Sequence, residues 1–121
     1  MLMASIKAAA VFDPQRFNAV VLALTPKSKT MLVCFEPGQA IPVHSPGVDL
    51  TLTLLEGRAT LVSGDEELAD AGPGALMHAE SGHRRGVMAH QRTLALIVVS
   101  PPPTPEDHRE VAAHLQKGTW K

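Results

Sequence analysis

Residues 38–57 read "GQAIPVHSPGVDLTLTLLEG". A glycine stands at each end, where a corner or hairpin needs a backbone that side chains resist. Between them lie His44, Pro42, Pro46 and the alternating run "VDLTLTLLE" (48–56). Alternation of this kind is the mark of a strand with one covered face. Side chains on a strand point to opposite faces in turn, so positions 44, 46, 50, 52 and 54 share a face if no bulge intervenes. That face reads His, Pro, Leu, Leu, Leu, and the other carries Asp49, Thr51 and Thr53. Asp49 is one position out of register with the apolar face and is expected to point away from it.

Outward from this stretch the chain repeats the same grammar. "FNAVVLAL" (17–24) stops at "TPKSK", and "TMLVCFE" (30–36) stops at Pro37-Gly38. "RATLVS" (58–63) meets the turn signal Gly64-Asp65, and "EELADA" (66–71) ends at "GPG". "ALMHA" (75–79) and "RRGVMA" (84–89) flank "ESGH", and "TLALIVV" (93–99) runs into "SPPPTP". Short strands at this spacing predict an all-β sandwich or barrel. Only the C-terminus reads as a helix, over about 105–117. Thr104 is placed to cap it, Pro105 suits its first position, Glu106 and Asp107 favour the positive dipole end, and Gly118 stops it. Val111 and Leu115 give it a narrow apolar stripe, so it is expected to lie against the barrel. Pro101-Pro102-Pro103 should be an extended connector.

The 121 residues fit a single domain, 1–121, and 45% apolar content suffices for one core. With a net charge of −1, only three Phe, one Trp and no Tyr, the chain lacks both the basic patch and the stacking platform of a nucleic-acid binder. No run approaches the about 18 apolar residues of a membrane span. Cys34 is the sole cysteine, in an apolar strand, and reads as a buried thiol rather than a nucleophile. The opening "MLMASIKAAAVF" is a poor signal peptide, and the expected location is cytoplasmic.

The spacing of glycines and histidines resembles that of the cupins, small double-stranded β-helix (jelly-roll) barrels. Their first motif, G-x5-H-x-H-x3/4-E-x6-G, is matched in its intervals by Gly38, His44, Pro46, Leu50 and Gly57. The second, G-x5-P-x-G-x2-H-x3-N, is matched by Gly72, His78, Glu80, His83 and Val87. The resemblance covers about residues 30–100 and implies an all-β cupin barrel with a short C-terminal α-helix. It also implies that the motif side chains face the interior. Metal-binding cupins use three histidines and a glutamate. Here His44 and His83 are kept, Pro46 stands for the second histidine, and Leu50 stands for the glutamate.

Two histidines are too few for a divalent cation, whose sites generally take three or more protein ligands. His44 and His83 therefore carry two readings: pocket histidines, or metal ligands completed by a third group such as His78. Arg85 shares strand parity with His83 and Val87. It reads either as a cation at the barrel mouth able to clamp a carboxylate or phosphate, or as a rim arginine paired with an acid such as Glu80. No nucleophile elbow, phosphate loop or dinucleotide fingerprint is present.

Three functional readings follow. The first is a barrel that binds a small, partly apolar and anionic molecule without a full metal site, through His44, His83, Arg85, Leu50, Leu52 and Met77. The second is a metal-dependent cupin enzyme (an oxygenase, isomerase or lyase) holding Fe, Mn, Ni or Zn through His44, His83 and a further ligand. The third, compatible with both, is a homodimer, since pairing between copies covers sheet edges. The sequence names no catalytic residue and leaves enzyme status open.

Overall fold

A computed structural model describes residues 1–121. Nine strands form two antiparallel sheets, and a short helical segment follows them. The strands are β1 (Asn18–Leu24), β2 (Lys29–Phe35), β3 (Ala40–His44), β4 (Asp49–Glu56), β5 (Ala59–Ser63), β6 (Glu66–Ala71), β7 (Leu76–Ala79), β8 (Arg85–Ala89) and β9 (Thr93–Ser100). One sheet runs β1-β2-β9-β4-β7 and the other β3-β8-β5-β6. This is an all-β architecture of the kind the strand spacing predicts, in the jelly-roll form that the cupin resemblance implies.

The alternation in "VDLTLTLLE" does what a period of two should. Leu50, Leu52 and Leu54 are buried while Asp49 is exposed and Thr51 and Thr53 are only half-buried. They join Val33, Phe35, Ala95, Ile97, Val99 and Met77 in one core of 15 buried residues between the sheets. Burial of this apolar surface is the main favourable term holding the sheets together. A smaller cluster, Leu32, Cys34 and Leu94, lies on the outer face of the five-stranded sheet beneath Ile6, Ala9, Ala10 and Phe12. The N-terminal residues thus act as a cover, with a single 3-10 turn at Ile6–Ala9.

Residues 38–57 are not one strand. β3 lies in the four-stranded sheet and β4 in the five-stranded sheet, with Ser45–Val48 crossing between them. His44 and Leu50 both face inward, but from opposite walls. Gly57 closes β4 with φ +95°. A Cβ there would stand 2.5 Å from the Arg92 carbonyl oxygen and 2.8 Å from Thr93 Cα. Only glycine fits both the conformation and the space.

The C-terminal reading holds in outline. Pro105–His108 form a 3-10 turn that continues into helix α1 (Arg109–Lys117), and Gly118 ends it at φ +72°. The Asp107 carboxylate accepts the Thr104 N–H at 2.8 Å and, through its other oxygen, the Gly47 N–H at 3.1 Å. The Trp120 carbonyl accepts the Val43 N–H at 2.6 Å. These bonds tie the segment to the end of β3 and to the β3–β4 crossing, so it lies across one end of the barrel. No helix is long and apolar enough to cross a membrane.

Candidate functional site

The end of the barrel beneath the C-terminal segment contains a cavity of about 160 Å³. Its apolar wall comes mainly from the inner faces of β1, β2, β4 and β9, through Ala19, Met31, Val33, Leu50 and Val99, with Phe17 just ahead of β1. The β3–β4 crossing adds Pro46 and Val48. The C-terminal segment adds Pro103, His108 and Val111. Lys29, His44, Arg85 and His108 are the charged or titratable groups on its lining, and no carboxylate is among them.

His44 and Arg85 are directly opposed across the β3–β8 ladder. Opposed residues on one face of an antiparallel pair have Cβ atoms about 4.5–5.5 Å apart. The approach of these strands depends on Gly86, since a Cβ there would lie 2.5 Å from Val43 Cγ2 and 3.1 Å from Val43 Cα. A register shift between Ile41 and His44 turns the Pro42 carbonyl toward the His44 ring, whose Nδ1 donates to it at 2.8 Å. A carbonyl can only accept, so the proton of a neutral imidazole sits on Nδ1 and Nε2 keeps its lone pair. Burial pushes the His44 pKa below its ordinary value. The Pro42 bond opposes this, and the nearby Arg85 charge adds to it.

Arg85 is 1% exposed. Its Nη1 donates to Val48 O at 2.7 Å, its Nη2 to Glu80 O at 2.7 Å and His83 O at 3.1 Å, and its Nε to His83 O at 3.2 Å. All its protein partners are carbonyls, and it forms no salt bridge. Burial lowers its pKa, offset in part by the charges of Asp49 and Asp107. An arginine still remains protonated at neutral pH. The expected pairing with Glu80 is present only through the Glu80 backbone.

His83 corrects the sequence reading. It lies in the turn before β8, where strand alternation does not apply, and its side chain is exposed. It faces an outer groove with His78, Glu80, Asp65 and Glu66, whereas His44 faces the inner cavity. His78 is exposed on β7 and its Nδ1 bonds Thr51 Oγ1 at 3.0 Å. His44, His83 and His78 therefore do not converge, and no group of three or more His, Cys, Asp or Glu is arranged to hold a metal ion. Position 46 supplies a proline ring and position 50 an isobutyl group, so the residues at the family's metal position do not fit a cation. Leu52 and Met77 are buried in the core but do not line the cavity, whereas Leu50 does.

Several lining residues escaped the sequence reading. Met31 and Val33 could have been found, since they alternate with Leu32 and Cys34 along β2. Lys29 shares their parity at the start of β2, whereas Phe17 and His108 carry no such signal, because their places depend on how the chain before β1 and the C-terminal segment dock.

The protein is thus defined by a two-sheet jelly-roll barrel with a C-terminal segment across one end and an inward-facing histidine. Solved structures of this class resemble it closely. The TT1209 protein of Thermus thermophilus is 29% identical, with a TM-score of 0.77 over 84% of this chain and 98% of that one. An RmlC-like cupin from Desulfovibrio desulfuricans is 30% identical, with a TM-score of 0.73 over the same shares. KdgF from Halomonas sp., at 20% identity and a TM-score of 0.68 over 77% of this chain and 86% of that one, shares the fold. No family model matches the chain, and no curated protein matches it. The chain belongs to the cupin superfamily.

Proposed function

We propose that this cupin binds a small organic anion inside the barrel, with the Arg85 guanidinium as its counter-charge and no metal ion between protein and ligand. The observation that carries the reading is a buried cation without a carboxylate, set on a cavity whose ionisable lining groups are all basic. A charge taken out of water needs a compensating partner. Carbonyl dipoles and the charges of Asp49 and Asp107 supply part of that compensation, and an anion in the cavity would supply the rest. The cavity is close in size to an engineered apolar cavity of about 150 Å³ that admits benzene, so the ligand has about six to nine non-hydrogen atoms. Its apolar part would lie against Met31, Leu50 and Val99. The metal-enzyme reading would need His44 and His83 on one cavity, and they line different ones.

Titration calorimetry with straight-chain monocarboxylates and the matching primary alcohols tests this. Acids of about five to seven carbons should bind and the alcohols should bind at least tenfold more weakly. Arg85→Met should abolish the difference in a variant whose circular dichroism shows a folded barrel. Acids that fail to bind, or a stoichiometric Fe, Mn, Ni or Zn content lost on changing His44, would overturn the reading.

We also retain the homodimer as a proposal. Leu76 and Val98 are exposed on strands of the five-stranded sheet, at 66% and 37%, where a second copy could cover them. A monomer mass by light scattering would remove it.

A further inference from the structure

The cavity offers a ligand two different hydrogen-bonding partners side by side. Arg85 has five N–H donors, and four hydrogen bonds to carbonyls engage them, with a single bond from Nη1. One Nη1 hydrogen is left without a protein acceptor. His44 offers the opposite character. Its Nδ1–H is committed to the Pro42 carbonyl, and Nε2 has no protein partner yet is not sealed from accessible space. The surroundings keep the ring neutral. Burial disfavours a second proton most, and the charges of Arg85 from β8 and His108 from the C-terminal segment add to it, while the Pro42 bond and Glu110 from α1 oppose this only in part.

We infer that the ligand is a hydroxy acid, with its carboxylate on Arg85 Nη1 and a hydroxyl on the adjacent carbon donating to His44 Nε2. This rests on the anion-binding reading above and adds the second polar group of the ligand. A plain carboxylate satisfies the guanidinium but leaves Nε2 facing hydrocarbon. Two carboxylate oxygens cannot fill that position, because both only accept. The opposed placement of His44 and Arg85 brings both side chains to one wall of the cavity, which suits a ligand whose two polar groups are on neighbouring carbons. The part of the ligand that lies against Leu50, Val99 and Met31 is a short branched or unbranched hydrocarbon, since those side chains have nothing to pair with a further polar group. Phosphate and sulfate esters fit less well: one free guanidinium hydrogen is a poor match for an anion that takes several donors.

The test compares three ligands of nearly equal size by calorimetry at pH 7.5: 2-hydroxy-4-methylpentanoate, 4-methylpentanoate and 2-fluoro-4-methylpentanoate. The fluorine fills the space of the hydroxyl but cannot donate. The hydroxy acid should bind about tenfold more tightly than the other two, as expected when a buried acceptor is paired rather than left empty. His44→Phe, which keeps a ring but no acceptor, should bring all three to similar affinity. Equal binding of the three by the unaltered protein would overturn the hydroxy-acid inference while leaving anion binding intact. A preference that survives in His44→Phe would overturn it too, by placing the acceptor elsewhere. Failure of all three to bind would remove the anion reading itself. If His44→Phe does not fold, the hydroxyl-to-fluorine comparison decides alone.

Discussion

A guanidinium that is 1% exposed keeps its charge only where dipoles or anions take over from water, and Arg85 has three carbonyls doing so. The same surroundings act on His44 with the opposite consequence, since the imidazole can discard its proton. Its pKa is lowered mostly by burial and to a lesser degree by the Arg85 charge. The unfolded chain, with an ordinary histidine near about 6.5, therefore takes up the proton before the folded protein does. The stability tied to neutral His44 is fully present above that pH and is lost as pH falls from about 6.5 through the folded value. The His44 ring resonances should titrate below the ordinary midpoint in NMR spectra. The fall in melting temperature between pH 7.5 and pH 5 should be smaller in His44→Phe. A midpoint at the ordinary value would contradict the described burial. At this scale the sequence was partly legible. Leu50 and Asp49 could be assigned to opposite faces from alternation alone. Arg85 could be placed inward, but not told apart from a rim arginine. His83 could not be placed, because a turn rather than a strand sets its direction.

Strands carry most of the legible information, since a period of two needs only neighbours in sequence. The runs at 17–24, 48–56, 66–71 and 93–99 became β1, β4, β6 and β9 within a residue or so at each end. β3 was the harder element. Its five residues include Pro42, and it belongs to a different sheet from the strand that follows it, so no local pattern announces the switch. The glycines separate by mechanism. Gly57 needs both a positive φ and the absence of a Cβ, while Gly64 has φ +59° and open space, with no atom within 4 Å of where a methyl group would stand. Gly57→Ala should destabilise the protein by about 1–3 kcal/mol or more, from strained backbone plus a clash with fixed backbone atoms. Gly64→Ala should cost less, about 1–2 kcal/mol, from the conformation alone. Urea unfolding curves of the two variants measure the difference, and an equal loss would show that crowding at Gly57 is relieved by movement.

Taken as a whole, the molecule is a barrel whose cavity is completed by residues far along the chain. The helix bounds near 105–117 follow from the cap, proline and glycine signals. That His108 and Val111 form part of the cavity wall does not follow, because docking depends on the Asp107–Gly47 and Trp120–Val43 bonds. Those bonds predict how ligand leaves. Asp107→Ala should raise hydrogen exchange at the Gly47 amide and speed dissociation of a bound carboxylate, with exchange in the β2 and β9 core unchanged. Its carboxyl is held below the ordinary range by the Thr104 and Gly47 amides. The latch is thus intact above about pH 4 and fails only as pH falls through the lower folded value. Unchanged exchange at Gly47 would show that the segment is held by packing instead.

At the other end of the chain, Cys34 sits beneath the cover formed by Ile6, Ala9, Ala10 and Phe12, with no exposed surface and a thiol pushed up by burial. A reagent that alkylates thiolates can reach the sulfur only while that cover is lifted. The lone thiol therefore serves as a clock for the N-terminus: its labelling rate counts openings of that flap separately from events at the ligand cavity.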